Sequence, residues 1–169
     1  MKKSIAELNT LDQVAFVRFL GCVYEHSPWM AERTWQARPF VGREALLKAF
    51  RATLAAASET EQLALIRAHP DLAGRAALRG ELTAESSHEQ ASAGLDQCSP
   101  EELARFTELN TAYKHKFAFP FIMAVKNATR AQILQGFEAR MSHELAREFA
   151  TALEQINRIA AFRINDLVD

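Results

Sequence analysis

The chain has 169 residues, of which 49% are hydrophobic and 24% are charged, and its formal net charge is −1. This length predicts a single domain over residues 1–169 with one continuous core. The near-neutral charge gives no electrostatic reason to expect nucleic acid as a partner. No apolar run approaches the roughly 20 residues that a bilayer-spanning helix needs, so we expect no membrane association.

The cysteines and the ends of the chain predict a cytoplasmic protein. Cys22 and Cys98 are too few for a disulfide scaffold and too far apart in sequence for a CxxC site. The first residues carry a positive tip without the apolar segment of a secretory signal, and the last residues form no peroxisomal SKL-type signal. We therefore expect a reducing, cytoplasmic compartment.

Helix-start signals recur along the chain, whereas strand-like alternation is almost absent. Thr10 and Gln13 form a capping-box pattern ahead of an apolar run, which predicts a helix that reaches Tyr24. Pro28 can then open a short helix that ends at Pro39.

The next predicted helix covers residues 43–57, where apolar residues recur at helical spacing. Ser58 with Glu61 forms a second capping box and predicts a helix that ends near His69. Because the residue before a proline is disfavoured in helical dihedrals, His69 is expected at the helix end, just before Pro70. A side chain at such a position can point into a cleft.

The second half of the chain continues with helices separated by short connections. Thr83 is predicted to begin a helix that stops near Gly94, and Ser99 is a helix cap followed by a proline at the first helical position. Thr129 and Ser142 are predicted to begin the last two helices, the second of which runs almost to the C-terminus. The pattern predicts an all-α, single-domain bundle of about eight helices.

The helix that follows Thr83 carries a candidate site. Ser86, Glu89 and Gln90 are spaced i, i+3 and i+4 and therefore share one helix face. His69, reaching this face from outside the helix, would supply a proton exchanger, and a neighbouring carboxylate would favour its protonated form. Two ordinary alternatives stay open: His69 is structural or solvated, and the three polar residues form a solvated helix face.

Arg163 interrupts the apolar stripe of the last predicted helix, at a position where an aliphatic residue is expected. The stripe consists of Leu145, Phe149, Leu153, Ile156, Ala160 and Leu167. A buried guanidinium needs a partner, which could be an internal carboxylate or the oxygens of a ligand, unless the side chain snorkels to solvent. Arg163→Met is predicted to keep or slightly raise the stability and to weaken ligand binding; if the partner is instead an internal acid, it should lower the stability.

The sequence offers no metal or cofactor motif. Glu85 and His88 form one ExxH pair, but di-metal bundles use two such pairs, and the sequence has no second one. The phosphate-binding patterns GxxxxGK[ST] and GxGxxG and the nucleophile elbow GxSxG are also absent. We expect neither a metal nor an organic cofactor.

Several short motifs occur in a fixed order over nearly the whole chain. They are Glu25-His26-Ser27-Pro28-Trp29, His69-Pro70-Asp71-Leu72, SxxEQ at 86–90 with Ala93-Gly94-Leu95, NxxYxxKFxFPFI at 110–122, and Glu148…Ile159…Arg163-Ile164-x-Asp166-Leu167. This order resembles the OHCU decarboxylases of urate breakdown in purine metabolism, which convert 2-oxo-4-hydroxy-4-carboxy-5-ureidoimidazoline to (S)-allantoin and carbon dioxide. The resemblance implies an all-helical bundle, commonly a homodimer, that works without a metal or organic cofactor.

The resemblance also implies roles for individual residues. His69 and Glu89 correspond to the catalytic pair. The substrate-binding set comprises Pro70, Ser86, Gln90, Phe119, Phe121, Ile122 and Arg163. The apolar stretch 117–123, interrupted by Pro120, corresponds to a segment that lends backbone groups to the ligand. Ala118 and Asn127 stand where the family usually has glycine, which predicts a slightly altered loop and a retained activity.

The implied function is therefore that of a cofactor-independent carboxy-lyase acting on a small ureide. Two other functions stay open from the residues alone. One is a non-catalytic α-helical interaction module that places polar residues in a groove. The other is a different lyase, or a hydrolase, that acts on a related ureide.

Overall fold

The computed structural model describes residues 2–169, apart from the side chain at position 76. Ten α-helices, two short 3₁₀ helices (Trp35–Ala37 and Leu95–Gln97) and one isolated β-bridge make up the regular structure of this part of the chain. The helices are α1 (Ile5–Thr10), α2 (Gln13–Leu20), α3 (Trp29–Thr34), α4 (Arg43–Ala56), α5 (Glu59–Ala68), α6 (Arg75–Leu78), α7 (Ala84–Ser92), α8 (Pro100–Phe117), α9 (Arg130–Arg140) and α10 (Leu145–Leu167). The all-α fold class is confirmed, and the count exceeds eight because α1 and α6 were not among the predicted helices.

The predicted start of the first long helix was wrong. Thr10 does not cap that helix but is the last residue of α1, and the side chain of Asp12 caps α2 by accepting from the backbone N–H of Ala15. The helix also ends at Leu20, before the predicted Tyr24. An aspartate so close to the threonine offers an equally good cap, so local sequence left the choice between them open.

The other predicted caps lie close to their expected places. Ser58 and Glu61 exchange the two hydrogen bonds of a capping box ahead of α5, and Thr83 Oγ1 accepts from the N–H of Ser86 at the start of α7. Ser142 is an exception, because α10 begins at Leu145 and the Ser142 hydroxyl donates to the carbonyl of Ala139 near the end of α9.

The chain folds into two compact units, residues 1–65 with 157–169, and residues 66–156. Each unit buries its own apolar side chains. The first unit includes Phe16, Leu20, Tyr24, Leu46, Phe50 and Ile164, and the second includes Ile66, Phe106, Tyr113, Phe121, Phe137 and Ile156. One domain over residues 1–169 stays a prediction. No helix among residues 2–169 is long and apolar enough to cross a membrane.

Ala118 ends α8 in the left-handed conformation, with φ 61° and ψ 20°, and its N–H bonds the carbonyl of Lys114. Asn127 has a similarly positive φ of 67°. Glycine adopts this conformation without the steric cost that a Cβ brings. The two positions at which glycine was expected from the resemblance are thus positions where the backbone itself favours glycine.

Ala118→Gly is expected to raise the free energy of unfolding by about 0.5–1 kcal/mol, since relief of the left-handed strain outweighs the added entropy of glycine in the unfolded chain. Denaturant unfolding would measure the change. Asn127→Gly is the matched control and should have a smaller effect, because asparagine tolerates the left-handed region. An Ala118→Gly variant no more stable than the control would contradict this account.

Candidate functional site

His69 lies directly after the last residue of α5, as predicted. Its N–H bonds the carbonyl of Ile66 at 3.2 Å, which closes the last turn, and only 8% of the residue is exposed. Pro70 follows and is half-buried. The histidine is therefore held at a helix end and largely shielded from water.

The polar face of α7 is buried at two of its three positions. Ser86 and Gln90 are buried, whereas Glu89 is half-buried. The alternative of an ordinary solvated face is therefore wrong for Ser86 and Gln90. A half-buried carboxylate beside a hydroxyl and a carboxamide is a polar surface on which a small, hydrogen-bonding molecule can be oriented.

The side chain of Gln90 joins α7 to the loop that follows Pro70. Its Oε1 accepts from the N–H of Ala73 at 3.0 Å, and its Nε2 donates to the carbonyl of Asp71 at 3.2 Å. Asn110 of α8 holds the same loop, since its Nδ2 donates to the carbonyl of Leu72 at 2.8 Å. These bonds fix the backbone just after His69–Pro70 against α7, which the spacing of the sequence did not reveal.

The apolar segment after α8 is buried. Phe119, Phe121 and Ile122 are at most 3% exposed. The Phe121 ring stacks on Phe137 at 3.7 Å between centroids, and Phe119 meets Phe149 edge to face. This packing holds a non-helical backbone rigidly in place, which is the requirement for a segment that presents peptide groups to a ligand.

Arg163, which belongs to the first unit, pairs with an internal carboxylate. Its Nη1 donates to Glu25 Oε2 at 2.9 Å and to the carbonyl of Cys22 at 3.2 Å, and the two charged residues are 5% and 2% exposed. The structure thus contains the internal acid that was one of the open alternatives. The assignment of Arg163 to substrate binding stays a prediction, which stability and kinetics together can test.

The predicted apolar stripe of α10 is buried at Ile156, Ala160 and Arg163, but near the start of the helix the buried face is rotated away from it. Leu145 is 58% exposed, whereas Glu148 is completely buried. The buried positions of the helix are Glu148, Ala152, Ile156, Ile159, Ala160, Arg163 and Ile164. Alanines and two charged residues on this face conceal its period, so the sequence pattern assigned no role to Glu148 and did not identify Glu25 as the partner of Arg163.

No group of three or more His, Cys, Asp or Glu side chains suited to a metal ion occurs among the residues that the structure describes. The expectation of a metal-independent activity stays a prediction. Exhaustive chelation followed by gel filtration should leave the turnover number unchanged. A loss that one particular divalent ion restores would overturn this expectation, and untreated protein carried through the same column is the control.

Comparisons with known proteins agree on one family. Residues 9–165 match the family model described as OHCU decarboxylase. The 2-oxo-4-hydroxy-4-carboxy-5-ureidoimidazoline decarboxylase of Halalkalicoccus jeotgali is 46% identical over 164 residues, which cover 97% of this chain and 91% of that protein. The decarboxylase of the same name from Haloferax volcanii is 42% identical over 95% of this chain and 94% of that protein. A human protein named as a putative decarboxylase of this kind is 37% identical over 97% of this chain and 95% of that protein.

Two solved structures are similar in fold. A crystal structure of (S)-allantoin synthase aligns with a TM-score of 0.77 and 30% identity over 98% of this chain. This chain spans 54% of that protein, or about half of its length. A crystal structure of OHCU decarboxylase in the presence of (S)-allantoin aligns with a TM-score of 0.66 and 22% identity, with 82% of this chain and 89% of that chain covered. Since the family model spans residues 9–165 and the decarboxylases named above match along nearly their whole length, the chain belongs to the OHCU decarboxylase family.

Proposed function

We propose that this protein decarboxylates 2-oxo-4-hydroxy-4-carboxy-5-ureidoimidazoline to (S)-allantoin and carbon dioxide during urate degradation. The observation that carries the proposal is the match to the family over residues 9–165. Its support within the second unit is the placement of His69 at the end of α5, next to a loop that Gln90 binds to α7. The chain is accordingly a carboxy-lyase.

The substrate itself supplies the electron sink for this reaction. When the carbon–carbon bond to the carboxylate breaks, its electron pair moves into the ring and toward the adjacent imine nitrogen, which takes up a proton, and carbon dioxide leaves. The resulting enol then gives up its hydroxyl proton to become a carbonyl, while the carbon that bears the ureido group accepts a proton on one face. No external oxidant or reductant is needed.

The protein must then manage protons and orient a polar ring. We assign proton transfer to His69, with Glu89 favouring the charged imidazole and fixing its tautomer. Ser86, Gln90 and the backbone around Pro70 offer hydrogen-bonding groups for ring and ureido atoms. The rings of Phe119 and Phe121 are buried within the protein and hold in place the backbone of the apolar segment, which would meet the substrate.

Purified protein mixed with freshly generated substrate tests the proposal. We expect faster loss of the ultraviolet absorbance of the substrate, release of one carbon dioxide per molecule consumed, and a product with the circular dichroism of (S)-allantoin. An interaction module would not accelerate the reaction. A hydrolase would consume substrate without releasing carbon dioxide, and either result would overturn the proposal.

We also propose a cytoplasmic, homodimeric protein. Neither Cys22 nor Cys98 is part of a disulfide, which agrees with a reducing compartment. The homodimer comes from the resemblance alone. Light scattering on the eluate of a sizing column would measure the mass of the assembly, and a mass near the 18.9 kDa of one chain would contradict the dimer.

A further inference from the structure

A completely buried carboxylate, Glu148, lies in the first turn of α10 and has no part in the chemistry described above. Its Oε1 accepts from the Tyr113 hydroxyl at 2.7 Å and pairs with the guanidinium of Arg140, while Oε2 contacts His143 Nδ1 at 2.8 Å. Burial raises the pKa of Tyr113, and the hydrogen bond to Glu148 raises it further, so the phenol keeps its proton and remains a donor. Several donors thus hold one carboxylate in a single position.

Arg140 connects this carboxylate to the apolar segment. Its Nη1 donates to the carbonyl of Ile122 at 2.6 Å, and its guanidinium lies over the Phe121 ring at 4.2 Å from the centroid. One planar side chain is therefore bound to Glu148 by one edge and to the Phe121–Ile122 backbone by the other. Only a guanidinium has the fixed fork of donors that such a double attachment requires.

The attachment determines how the peptide groups of this segment point. The C=O and N–H of a trans peptide point in opposite directions, so an Ile122 carbonyl fixed on Arg140 turns the N–H of Met123 to the other side. Gln155 Oε1 accepts from the N–H of Ala124 at 3.0 Å and fixes the following peptide in the same manner. Side chains of α9 and α10 thus set the backbone orientation at 122–124.

We propose that Arg140 and Glu148 are positioning residues for the decarboxylation. Glu148 orients the Arg140 guanidinium, and Arg140 holds the Phe121–Ile122 backbone in the orientation that meets the substrate. This inference rests on the proposed function, in which residues 119–122 contact the substrate. A buried ion pair is often no more stabilising than apolar residues of the same volume. A role in orienting the substrate-contacting backbone therefore explains the Arg140–Glu148 pair better than a contribution to stability does.

Arg140→Lys tests whether Arg140 positions the Phe121–Ile122 backbone. Lysine keeps a positive charge beside Glu148, but its single nitrogen lacks the planar fork with which Arg140 bonds the carboxylate by one edge and the Ile122 carbonyl by the other. We expect kcat/KM to fall by about 10- to 100-fold, since a misplacement of about 1 Å can cost up to 10²-fold. Tyr113→Phe is the matched control, because it removes another hydrogen bond to Glu148 and leaves Arg140 on Ile122. The control should lower Tm while keeping kcat/KM within a few-fold of wild type.

Activity of the wild-type protein is measured first, and its absence would reject the proposed function itself. With an active wild type, an Arg140→Lys variant of unchanged kcat/KM would overturn the positioning role. Equal losses of kcat/KM in Arg140→Lys and Tyr113→Phe would also overturn it, because they would indicate a less stable fold and not a misplaced Phe121–Ile122 backbone. If Arg140→Lys does not fold, the double variant Arg140→Met with Glu148→Gln removes both charges and keeps an acceptor for Tyr113. This variant should show the same loss of kcat/KM, and full activity would refute the inference.

Discussion

His69→Ala is expected to lower kcat by about 10²- to 10⁴-fold, the range that general acid–base groups contribute. The physical reason is the position of the imidazole, which is largely buried at the end of α5 beside the loop bound by Gln90. Alanine adds neither bulk nor charge at this position, so the fold should be retained and the loss of activity should appear in kcat. Single-turnover absorbance measurements on the purified variant, with near-ultraviolet circular dichroism as a check of folding, would measure it.

His115→Ala is the matched control for this experiment. His115 is an exposed histidine of α8, so its removal should leave both kcat and Tm close to their wild-type values. A folded His69→Ala variant with activity within a few-fold of wild type would remove His69 from the reaction. An equal loss in both variants would mean that the assay reports protein quality and not chemistry.

Arg163→Met is expected to lower the free energy of unfolding by about 3–5 kcal/mol, because the change leaves the buried carboxylate of Glu25 without its positive partner. If the partner of Arg163 were a ligand, the stability would instead be unchanged or slightly raised. Denaturant unfolding monitored by circular dichroism would measure the change. Arg158→Met, at an exposed position of the same helix outside this ion pair, is the control and should change stability by no more than about 0.5 kcal/mol.

The double variant Arg163→Met with Glu25→Gln separates structure from binding. Removing both charges should recover much of the lost stability, since no unpaired ion stays buried. If this variant has a raised KM, Arg163 also contacts the substrate, as the resemblance implies. If KM is unchanged, the arginine is purely structural. Unaltered stability of the single variant would contradict the importance of the Arg163–Glu25 pair.

The sequence alone was sufficient for features that depend on neighbouring residues. Capping boxes such as Ser58 with Glu61 join groups three positions apart, so local sequence can predict them, although a neighbouring cap such as Asp12 can take the place of a predicted one. The proline after His69 placed the histidine at a helix end by local sterics. The ordered motifs also led to the family and hence to the enzyme class.

Only the tertiary structure could decide which distant groups meet. Arg163 and Glu25 are 138 residues apart in sequence, and Glu148 meets Tyr113 across 35 residues, so no local pattern pairs them. The predicted stripe of α10 was correct at Ile156 and Ala160 but wrong at Leu145, because the buried place near the helix start belongs to Glu148, a charged residue that an apolar pattern does not count. Gln90 could be placed on a helix face from its spacing, but its bonds to the 71–73 loop depend on how α7 packs, which side-chain spacing does not encode.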